Sequence, residues 1–217
     1  MGYILAPRRK LAQEGCSSER GIAEAIGMHT PKHPAFFGYG SLVNRATHVY
    51  DTAQPVRLFG WRRIWRSTTL RPFAFLSAEP AKAEIDGLIA AVPGGDWAAL
   101  DQREAAYRRH PILAEHLRPN LPDWAAETEI YAVEDTYSDA SARHPILLSY
   151  LDVVVQGFLR EFGEQGAIRF FSTTAGWTAI LDDRSAPLYP RHQNLSAAER
   201  LLVDGCVAGL GLIRDPA

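Results

Sequence analysis

Ala35-Phe36-Phe37-Gly38-Tyr39-Gly40-Ser41-Leu42 decides how this chain reads. Its first three residues are apolar, and the glycine-containing turn that follows stops them abruptly: a buried strand running into a tight turn. Working outward towards the C-terminus, Val56–Ser67 (VRLFGWRRIWRS), Phe73–Ala78 and Ile85–Val92 read as further strands. All are short, rich in aromatic and branched residues, and bounded by Gly or Pro. Pro93-Gly94-Gly95 closes that set, and Asp96 is a good N-cap for a helix running through about Arg103 to Tyr107. Thr128–Val133 reads as one more strand.

The clearest helix places Pro145 in its first turn, repeats Leu148, Leu151, Val155, Phe158, Leu159 and Phe162 at helical spacing, and closes at Gly163. Ile168–Ser172 reads as a short strand. Ser196-Ala197-Ala198-Glu199 is a capping box opening a last helix, with Leu202, Val203 and Val207 turned inward. Towards the N-terminus, residues 1–34 read as an arm: Ser18 caps a short helix over Glu19–Met28, and two prolines keep His29–Pro34 extended. Strands come first and helices later, without β-α-β alternation, which argues against a doubly wound parallel sheet. The expectation is one α+β domain over residues 35–217, a small closed or mixed sheet flanked by helices.

Composition narrows the class. The chain has 217 residues, 47% hydrophobic and 22% charged, with a net charge of −2. That is a globular composition rather than a disordered one, and it argues against a nucleic-acid coat or a polybasic membrane binder. Cys16 and Cys206 stand far apart and outside any C-x-x-C, so neither a disulfide framework nor a cysteine zinc site is expected. No stretch approaches the roughly 20 apolar residues of a membrane span. Met1–Lys10 lacks a signal-peptide core, and the expected location is the cytoplasm.

Several chemistries fail on inspection. Gly38-Tyr39-Gly40 opens like a dinucleotide fingerprint, but Val43 occupies the third glycine position. Ser41 is flanked by Tyr39 and Val43, not by the glycines of a nucleophile elbow. His29 and His33 have zinc-like spacing, but Pro31 breaks the helix that would align them, and no metal role is assigned. Arg57–Arg71 holds five arginines, two tryptophans and no acid, a composition that suits single-stranded nucleic acid. The plainer reading is an amphipathic strand facing the six acids of Asp123–Asp139, so no nucleic-acid partner is expected.

Two features remain. Consecutive N–H groups in the Tyr39–Leu42 turn can converge on an anion. In a helix reaching Tyr107, residues Trp97, Leu100, Glu104 and Tyr107 share one face, which sets a carboxylate in an apolar and aromatic stripe. Burying an unpaired charge is costly. Glu104 therefore either pairs with an arginine such as Arg103 or Arg63, or has its pKa raised by desolvation, as a catalytic acid/base requires.

Together, Phe37-Gly38-Tyr39-Gly40-Ser41-Leu42 and, some sixty residues on, Leu100-Asp101-Gln102-Arg103-Glu104-Ala105-Ala106-Tyr107-Arg108-Arg109 resemble the gamma-glutamylcyclotransferase superfamily. FGYGSL and the Arg-Glu pair resemble its ChaC-like, glutathione-degrading branch, as do Phe59–Arg63 and Ile85–Pro93. Glu followed by Tyr-Arg-Arg is more similar to the gamma-glutamylamine cyclotransferase branch. The resemblance covers roughly residues 35–135, with a looser match at Pro145–Tyr150. It implies a small mixed β-barrel with helices and a site in which Tyr39, Gly40, Ser41, Leu42 and Tyr107 hold a gamma-glutamyl group, with Glu104 as general acid/base. The implied reaction releases 5-oxoproline by attack of the substrate's own α-amine on its γ-carbonyl, without metal or organic cofactor. Ser67-Thr68-Thr69-Leu70-Arg71-Pro72 is shorter and differently composed than the ChaC-like loop, so the leaving group stays open between glutathione, a gamma-glutamyl amino acid and an amine. The oligomeric state is not readable. The competing reading is a non-catalytic ligand-binding or regulatory domain of the same fold. Arg184, Tyr189 and Arg191 are polar loop residues that read as surface decoration.

Overall fold

Burial along Val56–Trp65 alternates with period two, but the phase changes midway. Val56 and Leu58 point inward, then Trp61, Arg63 and Trp65. The change is made by a bulge between Phe59 and Trp61, where Gly60 takes a positive φ of 88° that a residue with a Cβ rarely adopts. The computed structural model describes residues 32–50 and 52–216; the expected arm helix Glu19–Met28 lies outside them.

The strands are β1 (His33–Gly38), β2 (Ala53–Arg66), β3 (Phe75–Ala91), β4 (Tyr107–Ile112), β5 (Leu117–Arg118), β6 (Ala125–Val133), β7 (Ile146–Leu147), β8 (Thr174–Ala175), β9 (Ile180–Asp182) and β10 (Arg214–Pro216). The helices are α1 (Trp97–Arg103), α2 (Leu148–Thr173) and α3 (Ala197–Gly209). One mixed sheet runs β4-β6-β1-β3-β2-β5, with β8 added beside β2. It is a curled half-barrel, and the expected α+β class with a mixed sheet and flanking helices holds. A small second sheet, β10-β9-β7, is parallel throughout.

β1 lies inside the large sheet, antiparallel to β3 (Gly38↔Leu88) and parallel to β6 (Phe37↔Ile130). This is why Ala35 to Gly38 are all buried. The two expected strands Phe73–Ala78 and Ile85–Val92 are the ends of one strand, β3. Its middle, Glu79–Glu84, is polar and contains Pro80, which disguises it as a loop. That stretch stays extended because it pairs with the middle of β2, Phe59–Arg62, and Pro80 sits opposite Trp61 at the bulge, where a ladder donor is dispensable. The arginines of β2 are matched across this hairpin rather than by Asp123–Asp139: Arg57 pairs with Glu84 and Asp86, and Arg62 and Arg66 share Glu79. Arg63 points into the core between the rings of Phe158 and Phe170, donating to the Asp86 carbonyl and to Thr173 and Thr174.

Three helix expectations need correction. α1 stops at Arg103, because Tyr107–Ile112 zips antiparallel onto β6, from Tyr107↔Val133 to Ile112↔Thr128, and the ladder outweighs a helical continuation. Pro145 precedes α2, separated from it by β7. Beyond Gly163 (φ 67°, ψ −175°) the chain turns helical again, so Ile168–Ser172 is helix rather than strand. Ala167, Phe170 and Phe171 bury one face of that turn in the core shared with Phe158. α3 carries the expected capping box, with Val203 and Val207 buried.

Candidate active site

The turn after β1 is built by its own backbone. Val43 N–H donates to the Gly40 carbonyl and Asn44 N–H to that of Ser41, making a single 3-10 turn over Ser41–Val43. Thr47 Oγ1 donates to Ser41 O, and buried Asn44 donates to Val153 O and Gln156 Oε1 of α2. The turn is thus fastened to the long helix. The amides of Gly40 and Leu42 take no acceptor among the described residues, as the first donors of a helical turn do not. Gly40 has no room for a side chain: a Cβ there would lie 2.8 Å from the Tyr150 hydroxyl and 3.3 Å from Leu76 Cδ2. The Ser41 amide supports the Tyr150 oxygen from the same side.

Glu104 is the C-cap of α1, with its N–H on Leu100 O. α1 is held by Leu100, which packs with Phe36, Leu42, Val92 and Tyr131. Asp101 fixes the same helix by accepting from Tyr131 and pairing with Arg109, whose guanidinium lies over Trp97. The Glu104 side chain is 17% exposed, and its carboxylate accepts from Arg103 Nε at 3.2 Å. Burial pushes the Glu104 carboxyl above its ordinary value, against the opposing charges of Arg103 and Arg191. Both alternatives read from the sequence therefore hold at once: Glu104 is paired, with Arg103 rather than Arg63, and its pKa is raised.

Buried phenols feel the charge of this carboxylate. Tyr39 donates to Tyr131 O at 2.5 Å, and Tyr107 donates to Leu76 O at 3.0 Å. Burial, and in smaller part the charge of Glu104, holds the Tyr39, Tyr107 and Tyr150 hydroxyls above the ordinary phenol range, so all three stay protonated donors at neutral pH. Tyr107 belongs to this group from β4 rather than from the helix face on which the sequence put it. Arg103 also donates to Thr47 O, while its Nη2 is buried without an acceptor among the described residues.

Gly40, Ser41 and Tyr107 are thus linked through Tyr150 and Leu76, Glu104 acts on Tyr39, Tyr107 and Tyr150 through its charge, and Leu42 turns into the cluster beneath α1. The open clefts along Trp61–Glu79–His110–Glu134 and along Trp65–Ser67–Arg143–Trp177 lie elsewhere. Sequence reasoning missed Tyr150, hidden in the apolar stripe of α2, and set aside Tyr189, whose ring meets Tyr150 edge-on at 4.9 Å. Arg184 is structural, clamped between Asp152 and Asp204. Among the described residues no group of three or more His, Cys, Asp or Glu side chains is arranged to hold a metal.

No family model and no curated protein matches the chain. Solved structures that it resembles include YkqA from Bacillus subtilis, 16% identical over 72% of this chain and 59% of that one, with a TM-score of 0.47. A gamma-glutamyl cyclotransferase specific to glutathione from yeast is 12% identical over 81% of this chain and 96% of that one, with a TM-score of 0.38. A solution structure from Arabidopsis thaliana is 17% identical over 49% and 72%, with a TM-score of 0.33. The chain thus spans 59% of the length of YkqA. With every score below 0.5, the chemistry is left to the residues themselves.

Proposed function

We propose that this chain is a gamma-glutamyl cyclotransferase, releasing 5-oxoproline from a gamma-glutamyl amino acid, peptide or amine. The observation that carries the reading is Glu104: a largely buried carboxyl of raised pKa, paired with Arg103 and close enough in charge to act on the buried phenols of Tyr39, Tyr107 and Tyr150. The substrate supplies its own nucleophile, so positioning is the main demand on the protein. The free amides of the turn and Arg103 Nη2 offer donors for the α-carboxylate and for the oxygen that gains charge. The α-amine attacks the γ-carbonyl carbon, and Glu104 takes the proton this nitrogen loses. Glu104 then delivers that proton to the leaving nitrogen as its bond to the carbonyl carbon breaks. The products are 5-oxoproline and a free amine, with no water consumed and Glu104 restored. An ordinary Glu, with a pKa near 4.3, is a weak proton donor at neutral pH, and burial corrects this.

The test is incubation of the purified protein with glutathione, gamma-glutamyl amino acids and gamma-glutamyl amines, followed by quantification of 5-oxoproline. The proposal expects release from at least one class. Binding without release from any of them supports the non-catalytic reading instead.

A further inference from the structure

Arg118, Arg57 and Asp86 form one rung across three strands. In register, Arg57 of β2 faces Arg118 of β5 on one side and Asp86 of β3 on the other. Residues directly opposite in antiparallel ladders share a face, and like charges so placed repel. Arg169, from the part of α2 beyond Gly163, reaches the same rung. Its Nε and Nη2 both lie 2.9 Å from Asp86 Oδ2, while Arg57 Nε lies 2.9 Å from Oδ1. Asp86 is only 6% exposed, so a buried carboxylate holds two partly exposed guanidiniums in place.

One acid does not balance these cations. Arg57 Nη1 takes a second acid, exposed Glu84, at 3.0 Å. Arg63 stands behind the rung, buried, with Nη1 on the Asp86 carbonyl at 2.8 Å and no carboxylate of its own among the described residues. Arg118 meets only the carbonyls of Glu115 and Leu117, both through Nη1. Four guanidiniums thus share two carboxylates, and Arg57 Nη2, Arg169 Nη1 and Arg118 Nη2 are left without an acceptor among the described residues. Arg57, Arg118 and Arg169 line a single groove of about 290 Å³, together with Asp86, Pro119 and Phe162.

We propose that this groove binds a phosphate group, as inorganic phosphate or as the monoester of a small organic molecule. A phosphate dianion matches the two surplus charges, and its oxygens suit guanidinium donors, which recognise phosphate by paired N–H groups. The volume is at the small end for a ligand pocket, which fits one phosphate and a short carbon skeleton rather than a polymer backbone. Pro119 and Phe162 offer apolar surface to that skeleton. None of these residues belongs to the Glu104 cluster, and the proposal is independent of the cyclotransferase reading.

Isothermal titration calorimetry with inorganic phosphate and with phenyl phosphate tests it, at mildly alkaline pH and with chloride holding the ionic strength constant. Saturable binding at one site per chain is expected. Tighter binding of phenyl phosphate assigns the monoester, and equal or weaker binding assigns the free ion. Arg118→Ala should weaken binding about tenfold or more, the usual worth of a charge-assisted contact. Its guanidinium touches only backbone carbonyls, so the variant should melt with the wild type. Arg118→Glu should abolish binding and raise the melting temperature in phosphate-free buffer, because an acid opposite Arg57 replaces a repulsion with an attraction. Glu104→Gln should bind both anions as the wild type does. No saturable heat at millimolar anion, or binding unchanged in both Arg118 variants, overturns the proposal. So does binding lost in Glu104→Gln and kept in Arg118→Glu, which would put the anion at the other site.

Discussion

Glu104→Gln separates catalysis from structure at one position. Gln has the shape of a protonated Glu, and its carbonyl still accepts from Arg103 Nε, 3.2 Å from the native oxygen. It neither takes the ammonium proton nor returns one to the leaving nitrogen. Loss of a general acid–base typically costs about 10²–10⁴-fold, or roughly 3–5 kcal/mol of barrier. One group serves both transfers here, so kcat should fall by the upper end of that range, with KM changed little. Stability should move the other way. The folded-state pKa of Glu104 is raised, because burial outweighs Arg103 and Arg191 together. The native fold thus favours the proton-bound form, and wild-type stability declines as pH rises from the unfolded value through the folded one. A permanently neutral side chain avoids that decline. The variant should melt at or above the wild type at pH 8, and the difference should vanish near pH 3, below the unfolded pKa, where Glu is protonated in both states. Paired calorimetric scans and a 5-oxoproline assay across this pH range supply both readouts. A variant that melts several degrees early at pH 8 and keeps near wild-type kcat would falsify the assignment and make Glu104 half of a structural ion pair.

Three further outcomes are expected. Gly40→Ala places a methyl group 2.8 Å from the Tyr150 hydroxyl. It should raise KM or lower kcat by about tenfold while shifting the melting temperature little, since only the tip of one ring must move; activity at the wild-type level would show that the turn does not shape the site. Arg63→Ala removes the donor to the Asp86 carbonyl and to two threonine hydroxyls and empties the space between Phe158 and Phe170. Urea unfolding should register a loss of about 3–5 kcal/mol, and Arg63→Met, which refills the volume, should lose less than half as much. Because Arg57, Arg62 and Arg66 are each matched by acids on β3, single-stranded oligonucleotides should show no salt-dependent binding at micromolar protein; tight binding abolished by Arg62→Ser with Arg66→Ser would reverse that view.

What was legible in the sequence was local. The FFGYGSL turn reads correctly because a strand stop needs only its own residues, and the α3 capping box reads correctly for the same reason. What failed depended on partners far along the chain. Glu79–Glu84 is strand only because β2 lies beside it, and Tyr107 leaves the helix only because β6 offers a ladder edge. Ile168–Ser172 was ambiguous for a different reason. A five-residue apolar run fits either period, and the core formed by Phe158, Phe170 and Phe171 decides between them.

The same distinction explains why half of the candidate site was visible and half was not. Glu104 drew notice because a carboxylate in an apolar stripe violates a local rule, and the violation survived even though α1 ends four residues before Tyr107. Tyr150 violates nothing: an aromatic residue in a buried helix is ordinary, and only the 2.8 Å approach to the position of a Gly40 side chain gives it meaning. Tyr189 is ordinary for the opposite reason, as a polar-loop residue, until its ring is seen edge-on to Tyr150 at 4.9 Å. Its significance arises from Asp183, a fully buried acid that spends its oxygens on Ser149 and Leu188 rather than on any cation. That arrangement holds the 188–192 loop against α2 with hydrogen bonds, and the Tyr189–Tyr150 ring contact adds to them.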